Sequence, residues 1–503
     1  MRVTRKMMND NSVYNINANK EYMDKVNTKM ATQKKFVDPS DDPITAVRAL
    51  RFRSNLTEVT QYLDRNVSDA VSWTGNTQTS IDSAKEIMRS LKAEYTSAAN
   101  GTNESKDQRI YYENMKNLVD EYFSIGNAST EDRHLFTGYR TQDSLTFTAQ
   151  DFEERQAEAA DGKFKYIGIE ETFTKDDIED YSFTVRTGAG AHTSIGVTDG
   201  EISSLSDAIN ETMIQNNQVY RLRLSYKELD SGISHSLSGL DFVSVKNDYQ
   251  IPLPPEDNKI YFNKDKGTLI FGEQTKNELI NKMGDTGIDI EYNKSSWNVG
   301  DVKPEYYFNC EDVGVTPSIE YTDHQQSMYY HMGDSQNIKV NANACDVFTL
   351  DARRDLDEIH DYLNLLDGIQ SKVDRLMEMQ SDTEKYNEGQ QKTISDLLAA
   401  ATKELEYAQN RVNEAFSSGM TRAGKYFDFV NAAATEMGTS VKRLELIKNR
   451  LTQDKTTVQT QTSNNENIDL SVLTVDLSEA SLSYSAALQV TGKISQQTLV
   501  SYI

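Results

Sequence analysis

Residues 36–50 read Phe36-Val-Asp-Pro-Ser-Asp-Asp-Pro-Ile-Thr-Ala-Val-Arg-Ala-Leu50. Pro39 and Pro43 are the only prolines in the first 250 residues. Ser40, Asp41 and Asp42 can each cap a helix by accepting a backbone N–H bond, and Pro43 suits the first turn, where its missing N–H costs nothing. The two carboxylates also lie where the helix dipole favours negative charge. The helix-start motif Pro39-Ser40-Asp41-Asp42-Pro43 therefore separates a terminal helix from a long helical region.

Upstream, Ile16, Met23, Val26 and Met30 fall at helical spacing, but the stripe is narrow. Asn9, Asn11, Asn15, Asn17 and Asn19 lower helix propensity further, so this segment needs a partner helix. Its charge is basic: eight Lys and Arg against three Asp and Glu over residues 1–36, a net +5. Downstream the stripes thicken, through Phe52, Leu56, Val59, Leu63, Val67, Ala70 and Trp73, then Ile81, Ala84, Met88, Leu91, Tyr95 and Ala98. A third stripe reads Tyr111, Met115, Leu118, Tyr122 and Ile125. These are long, proline-free amphipathic helices.

From about residue 141 to 350 the pattern changes to short alternating runs, such as residues 181–186 and 338–341, separated by Gly, Asn and Asp. Five of the seven prolines lie here. The region reads as a β-rich insertion, with short helices expected at Leu205–Met213 and Asn277–Met283. Helical periodicity returns at Asp351. Leu356, Ile359, Leu363, Leu366, Val373 and Leu376 are followed by Ile394, Leu398, Ala401, Leu405, Ala408, Val412 and Ala415, then Val430, Ala433, Met437, Val441, Leu444 and Leu451. Residues 452–467 are polar and read equally as a solvated helix or a linker. The final segment carries Leu473, Leu477, Ala480, Tyr484, Ala487 and Ile494, a seam close to a heptad. From residue 466 onward four acids face one lysine, a net −3.

The fold class is mainly α with a β-rich insertion. Its halves, distant in sequence, share a long antiparallel helical bundle. The expected domains are 1–39 (terminal helix), 40–140 (first half of the helical core), 141–350 (insertion), 351–465 (second half of the core) and 466–503 (terminal helix). The basic first helix and the acidic last helix are suited to pair, with charge setting register more than strength.

The stretch Pro39–Leu50, with Arg51-Phe52-Arg53-Ser54-Asn55-Leu56 and Ala70-Val71-Ser72-Trp73, resembles the hook-associated proteins of the flagellin superfamily. The final Ser495-Gln-Gln-Thr-Leu-Val-Ser-Tyr-Ile503 is similar to that family's ending. Flagellin itself has an Asp-Asp-Ala-Ala-Gly-like helix start, whereas Asp41-Asp42-Pro43-Ile44 stands here. The family's Ser-Gly-Lys-Arg-Ile-like approach to the capped turn is replaced by Ala31-Thr-Gln-Lys-Lys-Phe36, without glycine. The resemblance implies a structural subunit of the bacterial flagellum, at the junction that adapts hook to filament. It implies a homo-oligomeric ring, contact with a neighbouring junction protein and with flagellin, and a cytoplasmic export chaperone on the C-terminal helix. It also implies type III export to the cell exterior without a cleaved signal. The residues expected at the assembly interface are Ile16, Met23, Val26 and Met30, with Leu473, Leu477, Ala480, Tyr484, Ala487 and Ile494. For each the competing reading is a core position within one chain.

Composition narrows the other possibilities. A formal net charge of −25 disfavours nucleic acid and anionic membranes as partners. No apolar run reaches the length needed to cross a bilayer, and residues 1–20 lack the apolar stretch of a secretory signal. Cys310 and Cys345 are the only cysteines, and spacing alone does not pair them. No metal, cofactor or catalytic set is expected. His324 and His331, with Asp323 and Asp334 nearby, lack metal-ligand spacing. Gly188-Ala-Gly190 is better read as a turn than as a phosphate loop. Asp285-Thr286-Gly287 lacks the apolar strand an aspartic-protease dyad needs. The alternatives are another axial protein of the same superfamily, or an extracellular binding protein or hydrolase carried on a helical stalk.

Overall fold

In the computed structural model the described residues are 5–100, 105–158, 163–187, 212–230, 232–235, 239–246, 250–252, 254–284, 286–333 and 336–500. They form ten helices: α1 (Arg5–Thr32), α2 (Pro43–Gln61), α3 (Ser68–Ala98), α4 (Ser105–Gly126), α5 (Ala149–Glu158), α6 (Glu273–Met283), α7 (Ala344–Val347), α8 (Asp351–Ser381), α9 (Glu388–Glu466) and α10 (Leu470–Val500). A π-helical stretch, Tyr62–Val67, lies between α2 and α3. The chain divides into two compact units. The first comprises residues 1–71, 330–338 and 442–503; the second comprises 72–329 and 339–441.

In the second unit the expected apolar stripes become core. Ile81, Ala84, Met88, Leu91, Tyr95 and Ala98 on α3 are buried, as are Leu356, Ile359, Leu363, Leu366, Val373 and Leu376 on α8. The α4 stripe keeps Met115 and Tyr122 but differs at its other positions. Tyr112, Met115, Val119, Tyr122 and Phe123 are buried, whereas Tyr111, Leu118 and Ile125 are half-buried. The reason is α8: α4 packs on it, and Tyr112 stacks on His360 at 5.3 Å between ring centroids. The Tyr122 hydroxyl donates to the Val347 carbonyl (2.7 Å) and accepts the Thr349 N–H (3.1 Å).

Helix α9 comes close to α3 at Gly419. A Cβ there would collide with the ring of Tyr95, which is fully buried and packs edge-on against Phe416. Alanine is the better helix former, by about 1 kcal/mol. Here packing outweighs propensity, because the buried ring has no free end to swing away. Gly419→Ala should destabilise the second unit by about 1–3 kcal/mol, as overpacking does. A rise in its urea midpoint would refute this.

The β-rich region contains a short hairpin of β1 (Ser129–Thr130) and β2 (Arg133–His134), and two five-stranded sheets. Their strands are β3 (Tyr166–Phe173), β4 (Glu179–Thr187), β5 (Thr212–Arg223), β6 (Ile233–His235), β7 (Asp241–Val245), β8 (Lys259–Asn263), β9 (Thr268–Gly272), β10 (Ile288–Lys294), β11 (Asn309–Asp312) and β12 (Ile319–Tyr321). One sheet has the order β12-β11-β3-β10-β6, all antiparallel; the other has β4-β5-β9-β8-β7, with β7 and β8 parallel. Ile288, Ile290 and Tyr292 alternate with outward residues along β10, the period-two pattern of a half-buried strand. The expected helix at Asn277–Met283 is the greater part of α6. Of the one expected at Leu205–Met213, residues 205–211 lie outside the described residues, and Thr212 and Met213 begin strand β5. Gly188–Gly190 and Asp285 also lie outside the described residues.

Strand β5 is joined to the helices by a buried network of charges. Arg221 donates to Glu179 (2.8 Å) and, through both terminal nitrogens, to Glu358 on α8 (2.7 and 2.9 Å). Arg223 donates to Asp355 at 2.5 Å. The other Asp355 oxygen accepts from Arg422 (2.9 Å) and from the Tyr426 hydroxyl (2.7 Å), both on α9. Burial opposes the Glu358 charge, but the neighbouring Arg221 and Arg223 hold its carboxyl well below the usual range. The bidentate Arg–carboxylate geometry is the strong form of the ion pair.

Candidate assembly interface

The helix-start motif of residues 39–43 resolves onto one residue. Asp42 has extended backbone and caps α2: its carboxylate accepts the Thr45 N–H (3.1 Å) and the Thr45 hydroxyl (2.5 Å). Those bonds hold the Asp42 carboxyl below its ordinary pKa. Pro43 takes the first helical position. Asp41 turns back to accept the N–H groups of Val37 (3.4 Å) and Asp38 (3.3 Å), closing the turn rather than capping the helix.

Helices α1 and α10 pack along each other within the first unit. They run antiparallel: Lys34 pairs with Asn467 across an antiparallel bridge, and the Asn19 amide reaches the Ser483 carbonyl at 3.5 Å. The interface residues expected from sequence lie on these two helices. Val26, Leu473 and Ala480 are buried, while Ile16, Met23, Met30, Leu477, Tyr484 and Ala487 are half-buried. The Ile494 side chain lies outside the described residues. Each narrow stripe therefore has a partner inside its own chain.

Two features were not visible as such in the sequence. At 3.6 residues per turn, Val475 and Leu482 fall opposite Leu473 and Ala480 on α10, and Val472 and Val490 lie about a quarter-turn round from that seam. They are exposed, Leu482 by 72% and Val475 by 57%. On α1, Met7, Tyr14 and Tyr22 form a similar outward stripe, and on α2 so do Ile44, Val47 and Leu50 at intervals of three. Contiguous exposed apolar stripes on a soluble helix mark contact surfaces. The heptad-like reading of residues 473–494 followed one face and left the second uncounted.

The second feature is where the opposite charges meet. Among the described residues, no ion pair joins α1 to α10 along their length; Lys25 pairs instead with Glu21 on its own helix. The ionic contact is concentrated at Glu466, the last residue of α9. Its carboxylate accepts Lys34 Nζ (2.6 Å) and both Nε and Nη2 of Arg53 (2.6 Å each). Arg53 and Lys34 hold the Glu466 carboxyl down at about 2.

The second unit has a cleft of about 690 Å³ lined by Tyr112, Phe123, Lys227, Lys294, Asp301 and Arg353, among others. Two of its cations are paired with carboxylates, and a third donates to the backbone. Lys227 pairs with Asp357 (2.6 Å), Arg353 with Asp120 (3.0 Å), and Lys294 donates to the Lys227 carbonyl (2.6 Å). No histidine or cysteine is among its lining residues. Among the described residues no group of three or more His, Cys, Asp or Glu could hold a metal. Cys310 and Cys345 are free thiols, the first buried. No helix among the described residues is long and apolar enough to cross a membrane.

Residues 3–141 match the bacterial flagellin N-terminal helical region. Flagellar hook-associated protein 3 of Salmonella typhimurium is 29% identical over 150 residues, and that of Escherichia coli K12 is 30% identical over 150 residues. Each match covers 28% of this chain and 45% of the relative, so the chain matches less than half the length of either. A putative flagellar hook-associated protein from Vibrio parahaemolyticus has a TM-score of 0.35 at 11% identity, covering 85% of this chain and 100% of that one. Xanthomonas campestris FlgL has a TM-score of 0.30 at 11% identity, covering 82% and 99%.

Proposed function

From a chain whose N-terminal region is of the flagellin family, we propose a structural subunit of the bacterial flagellum, a hook-associated protein at the hook–filament junction. The subunits form a homo-oligomeric ring, with a neighbouring junction protein on one side and flagellin on the other. The work is mechanical: one helical lattice is adapted to another. Before assembly a cytoplasmic export chaperone covers the C-terminal helix, and the chain leaves by type III export without a cleaved signal. Residues 40–140 and 351–465 act as the halves of the helical core, and 141–350 as an insertion.

The observation that carries this reading is the second apolar stripe of α10. The seam through Leu473 and Ala480 is used within the chain, while Val472, Val475, Leu482 and Val490 remain exposed on a helix that is already folded against α1. Such a surface fits neighbouring subunits, which would remove it from water at about 25 cal/mol per Å².

The test is Val475→Asp with Leu482→Asp. Both side chains are exposed, so the stability of the isolated subunit should change by no more than about 0.5 kcal/mol. Cells carrying the double variant should export it normally, keep their hooks and shed flagellin into the medium. Filaments of normal length from exported variant would sink the proposal.

A further inference from the structure

We propose that Glu466 is a staple: its side chain and its backbone carbonyl together tie the break between α1 and α2 to the break between α9 and α10, so that neither terminal helix is held without the other. This inference stands apart from the assembly reading, because every contact lies within one subunit.

The contacts converge from both breaks. The Glu466 side chain is only 6% exposed, although it ends a polar Thr, Gln, Ser and Asn tract. It receives Lys34 from the exit of α1 and the fork of Arg53 from α2. The Glu466 carbonyl accepts the Lys35 N–H at 2.8 Å, and two residues further on the Ile468 N–H donates to the Gln33 carbonyl at 3.2 Å. Lys35 Nζ reaches the Asn464 carbonyl, and the Asn465 amide donates to the Thr45 carbonyl at 3.1 Å.

Sequence does not dictate this corner locally. Gln33 sits at φ 57°, a left-handed conformation uncommon for a residue with a side chain. It persists where surrounding contacts over-determine it. The staple supplies them: an antiparallel backbone bridge on one side and a sheltered, three-donor carboxylate on the other. Ordinary exposed ion pairs contribute little because they gain modest Coulomb energy and lose side-chain freedom. This one differs because the Arg53 fork is bidentate and one of the same two oxygens also binds a second cation.

Mutual dependence of the two terminal helices is the measurable consequence. In Glu466→Gln, amide hydrogen exchange in residues 12–32 and 470–490 of the full chain should rise together, by about tenfold in each. Trypsin cleavage after Lys34 and Lys35 should quicken by a similar factor. Tryptophan fluorescence should stay unchanged, since Trp73 and Trp297 lie in the second unit. Arg53→Lys, which keeps the charge but loses the fork, should give an intermediate rise in both helices and serves if Glu466→Gln does not fold. The staple is refuted if exchange rises in one helix alone, or in neither.

Discussion

Asp355→Ala lowers the stability of the second unit by about 3–5 kcal/mol, the cost of removing one partner of a buried ion pair. Asp355 has no solvent exposure, and one carboxylate answers Arg223, Arg422 and the Tyr426 hydroxyl. Without it Arg223, whose side chain is buried, and Arg422 both lose their nearest carboxylate. Asp355→Asn should cost less, since the amide oxygen still accepts one bond. Both tryptophans report on this unit, so their fluorescence in a urea titration separates it from the first, and no single two-state fit is needed for the whole chain. A loss below about 1 kcal/mol, the size of an ordinary hydrogen bond, would mean that the network has an alternative arrangement.

The second large effect is a pH dependence at Glu171. Its carboxyl lies on β3 and accepts the Ser225 N–H (3.1 Å), the Ser225 hydroxyl (2.7 Å) and the Tyr292 hydroxyl (2.9 Å). Burial raises its pKa to about 7, against the lowering effect of those bonds. The folded state thus binds this proton more tightly than the unfolded chain. The stability it confers is complete below about pH 4.5 and is lost as pH rises through about 7. A shift of this size corresponds to roughly 3 kcal/mol. Glu171→Gln keeps an oxygen for the same donors but has no proton to lose. The free-energy difference between wild type and Glu171→Gln should therefore move by about 3 kcal/mol in favour of the variant between pH 4.5 and 8. A difference constant over that range would show that Glu171 titrates normally. At Glu466 the sign is opposite: its carboxyl is depressed, so its contribution is present above about pH 4.5 and fades as pH falls toward about 2.

Much of the architecture was legible because helices announce themselves locally. Ile81 to Ala98 and Leu356 to Leu376 repeat at steps of three and four, and all the residues named in those stripes are buried. The cap at Asp42 was legible for the same reason, since its partner Thr45 is three residues away. Where several residues on neighbouring faces are apolar, periodicity leaves the phase open. On α4 the choice between Tyr111 and Tyr112 was decided by packing on α8, which no window of sequence contains. The polar tract 452–467 read equally as helix or linker, and it is helical as far as Glu466.

The candidate site was only half legible. The stripes through Val26 and Leu473 could be found, and their mutual contact was the bland reading of the two. The outward face of α10 was hidden because Leu482 and Val490 sit in a segment apolar enough to supply two stripes. Glu466 carried no local signal beyond one acid near the end of a polar tract, because its partners Lys34 and Arg53 are 432 and 413 residues distant. The sequence did show the opposite net charges of the ends, but not that the ionic contact gathers at one residue.

That distance also sets a clock. A ribosome adds about 5–20 residues per second, so Arg53 waits roughly 20–80 s for the residue that will hold it. Throughout that interval the second unit can begin to fold from neighbouring segments, while α1 has no α10 to lie against. Closing a loop of such length is entropically slow, and its cost is met only after residue 466 has been made. Helices α1 and α10 are made far apart in time, and nascent chains halted before residue 466 should carry α1 as an unprotected, protease-sensitive segment.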